Sequence, residues 1–242
     1  MKYYLNIFIL LLIIAILTGC SVENLLVRAT MNGNTKKVEK LVEKGAKVDY
    51  NAIFDETPLF FAATNGNFEL VKYLISKGAN LNYQKQGFIL KSSQKVGGQY
   101  KYYIEKIPNG GRTILTSALL GWGDFDKIVV YLLEQGAKVN YKYIQYNAEP
   151  IIRMGNGTEI GGEGIGTYIP EKEKIETPLT LSINAYKIQA DKNNIILMQK
   201  YKSTIQILLK YGADKNIVNG DGENAYQLAN KYNLKEVSDI LK

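Results

Sequence analysis

The sequence predicts an all-α repeat solenoid, a stack of helix-turn-helix units, carrying two elongated β-hairpin finger insertions. Three observations predict it. A short motif recurs along the chain, first at a strict offset of 33 residues. Each copy gathers its apolar residues on one helical face that a single unit cannot bury, so the copies must stack. Twice, the spacing between copies is stretched by segments that alternate like strands around glycine-rich turns. The composition fits a packed chain: 46% apolar, 22% charged and 11% aromatic residues exclude disorder and collagen-like repeats.

Taken in chain order, the first feature is an apolar run from Leu5 to Leu17, broken only by Asn6 and preceded by Lys2. Its length falls short of the roughly 20 residues of a membrane-spanning helix but suits the apolar region of a secretory leader. The run ends in Leu17-Thr18-Gly19-Cys20. This resembles the lipobox of bacterial lipoproteins. The resemblance implies a signal peptide over residues 1–19, cleavage before Cys20 and lipidation of its thiol. The chain would then be a lipid-anchored envelope protein, periplasmic or surface-exposed. Two or more acyl chains make a stable anchor where one binds only marginally. Ser21, Val22 and Glu23 are expected to separate the lipid from the first helix, a reach of at most about 14 Å.

The repeats follow. Asn32-Gly33-Asn34, Val38, Leu41 and Gly45-Ala46-Lys47-Val48-Asp49 return as Asn65-Gly66-Asn67, Val71, Leu74 and Gly78-Ala79-Asn80-Leu81-Asn82. The second copy opens Thr57-Pro58-Leu59-Phe60, with Ala62 and Ala63 behind it. Later copies open at Thr113-Ile114-Leu115 and Thr177-Pro178-Leu179 and close at Gly136-Ala137 and Gly212-Ala213. A last copy runs from Asp221 through Asn224-Ala225-Tyr226-Gln227-Leu228-Ala229 to the end. Thr57 and Thr177 are placed to cap a helix, and Pro58 and Pro178 sit where a missing N–H costs nothing. Gly45, Gly78, Gly136 and Gly212 are placed to end the second helix in the left-handed conformation. The pattern resembles the ankyrin repeat. The expected repeats are about 24–54, 55–82, 111–140, 175–216 and 221–242, within one ankyrin-repeat domain over 20–242. Where the family carries a histidine, this chain has Phe60, Thr116 or Thr180. The bracing that the histidine supplies is therefore expected from elsewhere, with packing by Phe60 in one copy.

From closing glycine to the next opening takes 12 residues at Gly45–Thr57 but 35 at Gly78–Thr113 and 41 at Gly136–Thr177. The finger insertions are placed at about 83–110 and 141–174. In the first, Gly87–Lys91 and Gln99–Glu105 flank Gly97-Gly98. In the second, Tyr143–Tyr146 and Gly164–Ile169 are the expected strands, and the fingers are expected to pair with one another. Finger one is basic (Lys85, Lys91, Lys95, Lys101 and Lys106 against Glu105). Finger two is acidic, with Glu149, Glu159, Glu163, Glu171, Glu173 and Glu176 against Lys142, Arg153, Lys172 and Lys174. Such charges steer encounters more than they bind. Two irregularities lie inside repeats: Gly121-Trp122-Gly123-Asp124 lengthens one interhelical turn, and the fourth copy is long. There Asp191–Asn194 forms a loop, and a helix bearing Met198, Tyr201, Ile205 and Leu208 is expected to brace the fingers.

The chain has no histidine and one cysteine, which removes His-based catalysis, His-ligated metals and any internal disulfide. The glycine cluster from Gly155 to Gly166 lacks the endings of a phosphate loop, and Asp214, Asn216, Asp221 and Glu223 miss the calcium-loop spacing. No cofactor and no metal site are expected. The formal charge is +7 and the pI about 9.1, yet only Arg28, Arg112 and Arg153 are arginines. Dispersed lysines and an envelope address argue against nucleic acid. The ankyrin resemblance implies a monomeric, non-enzymatic module that binds a protein partner through its concave face and hairpin fingers. The contact candidates are Tyr50, Tyr83, Phe88, Lys91, Lys95, Tyr100, Tyr102, Trp122, Tyr141, Tyr143, Tyr146 and Arg153. Two other readings stay open: a carboxylate-dependent glycan hydrolase of the envelope, and a surface adhesin for host ligands or glycans.

Overall fold

The computed structural model describes residues 21–50, 56–84, 87–96, 99–107, 111–121, 123, 125–145 and 174–242. The described chain is mostly helical, and its helices come as antiparallel pairs joined by short turns, the architecture of an all-α repeat fold. Contacts gather it into two compact units, one of residues up to Tyr83 with Ser117–Gln135, the other of Gln84–Thr116 with Gly136–Lys242.

In the first unit, α1 (Val22–Met31) pairs with α2 (Thr35–Glu43), and α3 (Pro58–Thr64) with α4 (Phe68–Ser76). Helix α6 (Phe125–Glu134) also belongs here, and α5 (Ile114–Leu119) is shared in sequence between the units. The core is Leu26, Ala29, Val38, Leu59, Ala62, Leu70, Val71, Leu74, Ile128 and Leu132, all buried. Each fully buried leucine contributes about 1.5–3 kcal/mol over leaving it in water. Ala62 and Ala63 are small because α1 packs closely against α3.

The turns show why this sequence folds in pairs. Gly33 and Gly66 take φ of +64° and +69°, and the next residue, Asn34 or Asn67, caps the second helix by accepting the N–H of Lys37 or Leu70. That second helix stops at Gly45 and Gly78, whose φ values of +91° and +87° few side chains tolerate. The chain then folds back as Ala46 N–H donates to the Leu41 carbonyl and Ala79 N–H to that of Leu74.

Helix α1 starts earlier than expected. Ser21 is its N-cap and accepts from Asn24 N–H at 3.1 Å, so the spacer after Cys20 is one residue, not three. Serine outcompetes the expected start because its hydroxyl satisfies an otherwise orphaned donor.

In the second unit, β1 (Gly87–Val96) and β2 (Gln99–Ile107) pair antiparallel with an irregularity between Ser93 and Lys95. β3 (Tyr143–Gln145) pairs with β4 (Lys174–Glu176). Tyr143–Gln145 thus pairs with this segment beside the next helix cap; the expected partner, Gly164–Ile169, lies outside the described residues. The two sheets are separate, so among the described residues the insertions do not pair with one another. Helices α7 (Pro178–Asp191) and α8 (Ile195–Lys210) form one hairpin, and α9 (Ala225–Lys231) and α10 (Lys235–Leu241) the next, with α9 against α7.

Candidate protein-binding surfaces

The insertions leave the second unit from closed roots. Gln84 and Thr113, the residues on either side of the first insertion, form an antiparallel bridge. The side-chain oxygen of the same Gln84 accepts a hydrogen bond from the Tyr141 hydroxyl, where the second insertion begins. Burial against that contact raises the Tyr141 pKa above 10.0, and the bond to Gln84 partly offsets it. The second root is the three-rung β3–β4 ladder. Its last residue, Glu176, is buried and accepts from Asn184 Nδ2 of α7 at 2.6 Å, and Gly220 N–H donates to the Ile175 carbonyl. The helix that touches the insertion root is thus α7. The expected brace, α8, keeps Tyr201, Ile205 and Leu208 buried but leaves Met198 only half-buried.

A second closure keeps the repeat register across the longer insertion. Asn140 donates to the Gly212 carbonyl at 2.9 Å and accepts from Asp214 N–H at 2.7 Å. In the first unit Asp49 accepts from Asn80 N–H at 2.9 Å, at the same positions relative to the closing glycines. The two hairpins therefore dock alike, although one connection is regular and the other carries 29 extra residues.

The helix openings answer the question of the missing histidine. In the third copy Thr113 N–H donates to Thr116 Oγ1 at 2.8 Å, while Thr116 N–H donates back to Thr113 Oγ1 at 3.2 Å. Thr177 and Thr180 repeat this at 2.8 and 3.2 Å, and Asn224 with Gln227 at 2.9 Å each way. The residue at the histidine position thus closes a capping box. Phe60 cannot, and instead buries its ring, 3% exposed.

Of the contact candidates, Tyr50 and Tyr83 are half-buried in the first unit and Tyr141 half-buried in the second. Phe88, Lys91 and Lys95 lie on β1, paired with Lys106, Tyr103 and Tyr100, while Tyr102 of β2 pairs with Ser92. Tyr143 pairs with Glu176. Trp122, Tyr146, Arg153 and the lipidation candidate Cys20 lie outside the described residues. A groove not expected from the sequence opens in the first unit between α4 and α6. There Phe68 and Tyr131 meet edge to face at 5.6 Å, and Lys72 sits 4.8 Å over the Phe68 ring.

Among the described residues no three His, Cys, Asp or Glu side chains converge on a metal site, and no helix is long and apolar enough to cross a membrane. Helix pairs, αL turns and docked hairpins define a repeat-built protein–protein interaction module. The ankyrin-repeat family model, a three-copy profile, matches residues 4–85 and 26–143, more than half of the chain. The chain belongs to the ankyrin-repeat family, whose domains are typically non-catalytic. No characterised protein matches the sequence.

Proposed function

We propose that this chain is a lipid-anchored, non-catalytic binding module of a bacterial envelope. Lipid on Cys20 holds it at a membrane, and it works as a monomer. It grips a protein partner through the concave face expected of ankyrin stacks and through its two insertions acting as fingers. The closure at Gln84 carries this reading, since one side chain ties the first insertion's root to the start of the second. A preorganised base of this kind lowers the ordering cost of binding. The apolar run ending at Leu17-Thr18-Gly19-Cys20 supports the anchor. The lysine-rich first finger and glutamate-rich second finger would select a partner with both charge signs.

The test is capture from intact cells. Replacing residues 88–106, or residues 146–173, with an Asn-Gly turn keeps the strand ends that pair and removes the finger. Loss of capture with unchanged helical circular dichroism supports finger binding, and unchanged capture by both variants refutes it. Separately, Cys20→Ser should abolish acyl labelling and membrane fractionation. If it changes neither, the anchor assignment is wrong.

A further inference from the structure

The longest helical hairpin outruns its core. Buried residues of α7 end at Tyr186 and those of α8 begin at Tyr201; from Lys187 to Lys200 every residue is half-buried or exposed. The neighbouring helices α9 and α10 have seven residues each, against 14 and 16 in α7 and α8. Near the end of the buried stretch, the ring of Tyr232, the C-cap of α9, lies 5.8 Å from Lys187 Nζ. Beyond it the hairpin overhangs by roughly 10 Å, at 1.5 Å of rise per residue. The apex is a tight capped turn. Asn193 turns the chain at φ +53°, and Asn194 caps α8 by accepting Leu197 N–H at 3.2 Å.

This apex exposes aliphatic surface that stability does not require. Ile188, Ile195 and Ile196 are 50%, 68% and 75% exposed, with half-buried Leu197 and Met198 beside them. Around them stand Lys187, Lys192 and Lys200; the single acid, Asp191, is already bridged by Lys187. The apex holds no tyrosine, tryptophan or arginine, the side chains that anchor protein interfaces. The turn itself, Asp191-Lys192-Asn193-Asn194, is polar, and the isoleucines flank it within one helical turn. Exposed branched aliphatics beside lysines match the boundary of an anionic bilayer instead, where apolar groups enter and ammonium groups reach the headgroups.

The geometry points to the α7–α8 apex as a membrane-surface contact: Ile188, Ile195 and Ile196 insert into the headgroup–acyl boundary of an anionic lipid bilayer, and Lys192 meets its phosphates. This contact does not depend on lipid at Cys20.

A probe at the apex tests it in the full chain. Cys20→Ser removes the one native thiol. Ile196→Cys or Lys210→Cys then carries an environment-sensitive fluorophore, the second site lying about 20 Å away along α8. The vesicles are phosphatidylcholine alone or phosphatidylcholine with phosphatidylglycerol. On anionic vesicles the Ile196→Cys probe should shift to the blue and be quenched by brominated acyl chains, while the Lys210→Cys probe stays in water. Insertion should be about tenfold weaker without phosphatidylglycerol. It should fall about tenfold with Ile188→Ser plus Ile195→Ser, and persist with leucine at both positions. An apex probe that stays in water on anionic vesicles overturns the inference, as does equal insertion of both probes. So does an apex that is shielded by an added envelope protein but never by lipid. Because Cys20 is absent throughout, none of these outcomes bears on whether the natural chain is acylated.

Discussion

A β carbon at Gly121 would lie 2.4 Å from the carbonyl oxygen of Thr64, closer than any side chain can sit to backbone. Here the first helix of one repeat ends against the end of the first helix of the preceding one. Gly121→Ala must push two backbones apart and is expected to cost about 1–3 kcal/mol. Gly45→Ala is the control. It meets nothing within 4 Å and suffers only from its φ of +91°, about 1–2 kcal/mol. Urea denaturation of both variants measures the pair. A loss at Gly121 no larger than at Gly45 would show that the two chain segments are not held together.

The threonines at the histidine position make an independent prediction. Thr180→Val keeps volume but leaves the buried Thr177 N–H without its acceptor at 2.8 Å, a loss of about 1–3 kcal/mol. Thr116→Val should behave the same way. Phe60→Thr should regain a capping box yet lose stability, because a buried ring is worth more than one hydrogen bond. Thermal melts of the three variants decide it, and a stabilised Phe60→Thr would be the contrary result.

Asn140 makes two bonds across the second insertion where Asp49 makes one across a regular connection. Asn140→Ala should cost about 1–2 kcal/mol and speed hydrogen exchange at the Asp214 amide. Asn140→Asp retains the acceptor for that amide but loses the donor to Gly212, so Asp214 protection should survive while stability falls. Equal exchange in both variants would argue against this assignment of the two bonds.

Alkaline pH should weaken the second unit through one carboxylate. Lys202 is raised above 10.5, chiefly by its 2.6 Å hydrogen bond to Glu236. Tyr186 is raised above 10.0, first by burial and then by the charge of the same Glu236. Both groups hold their protons more tightly when folded. Their contribution is complete below these ordinary values and is lost as pH climbs through the raised ones. The urea midpoint should therefore hold up to about pH 10 and drop as the pH climbs above it, and Glu236→Gln should flatten the drop. An unchanged slope in that variant would remove Glu236 from the account.

Much of this architecture was legible because its determinants are local. Gly45, Gly78, Gly136 and Gly212 announce the helix ends, and Thr57 and Thr177 the starts, since each acts within three or four residues of itself. The early start of α1 is hidden because Ser21, directly after the cysteine, resembles spacer rather than cap. The ladder of Tyr143–Gln145 with Lys174–Glu176 is hidden for another reason: the latter segment is three residues beside the Thr177 cap, too short to show alternation. The bond between Tyr141 and Gln84 spans 57 residues and leaves no mark on either neighbourhood.

The Asn140 clasp has a consequence for how such a protein changes over generations. Once the docked hairpin is secured on both sides of an insertion, whatever lies between is released from the duty of holding the repeats in register. The inserted loop becomes a cassette. It can lengthen, shorten or trade its charges under selection for a new ligand while the scaffold stays the same. A laboratory library placed between Gln145 and Lys174 would draw on the same freedom.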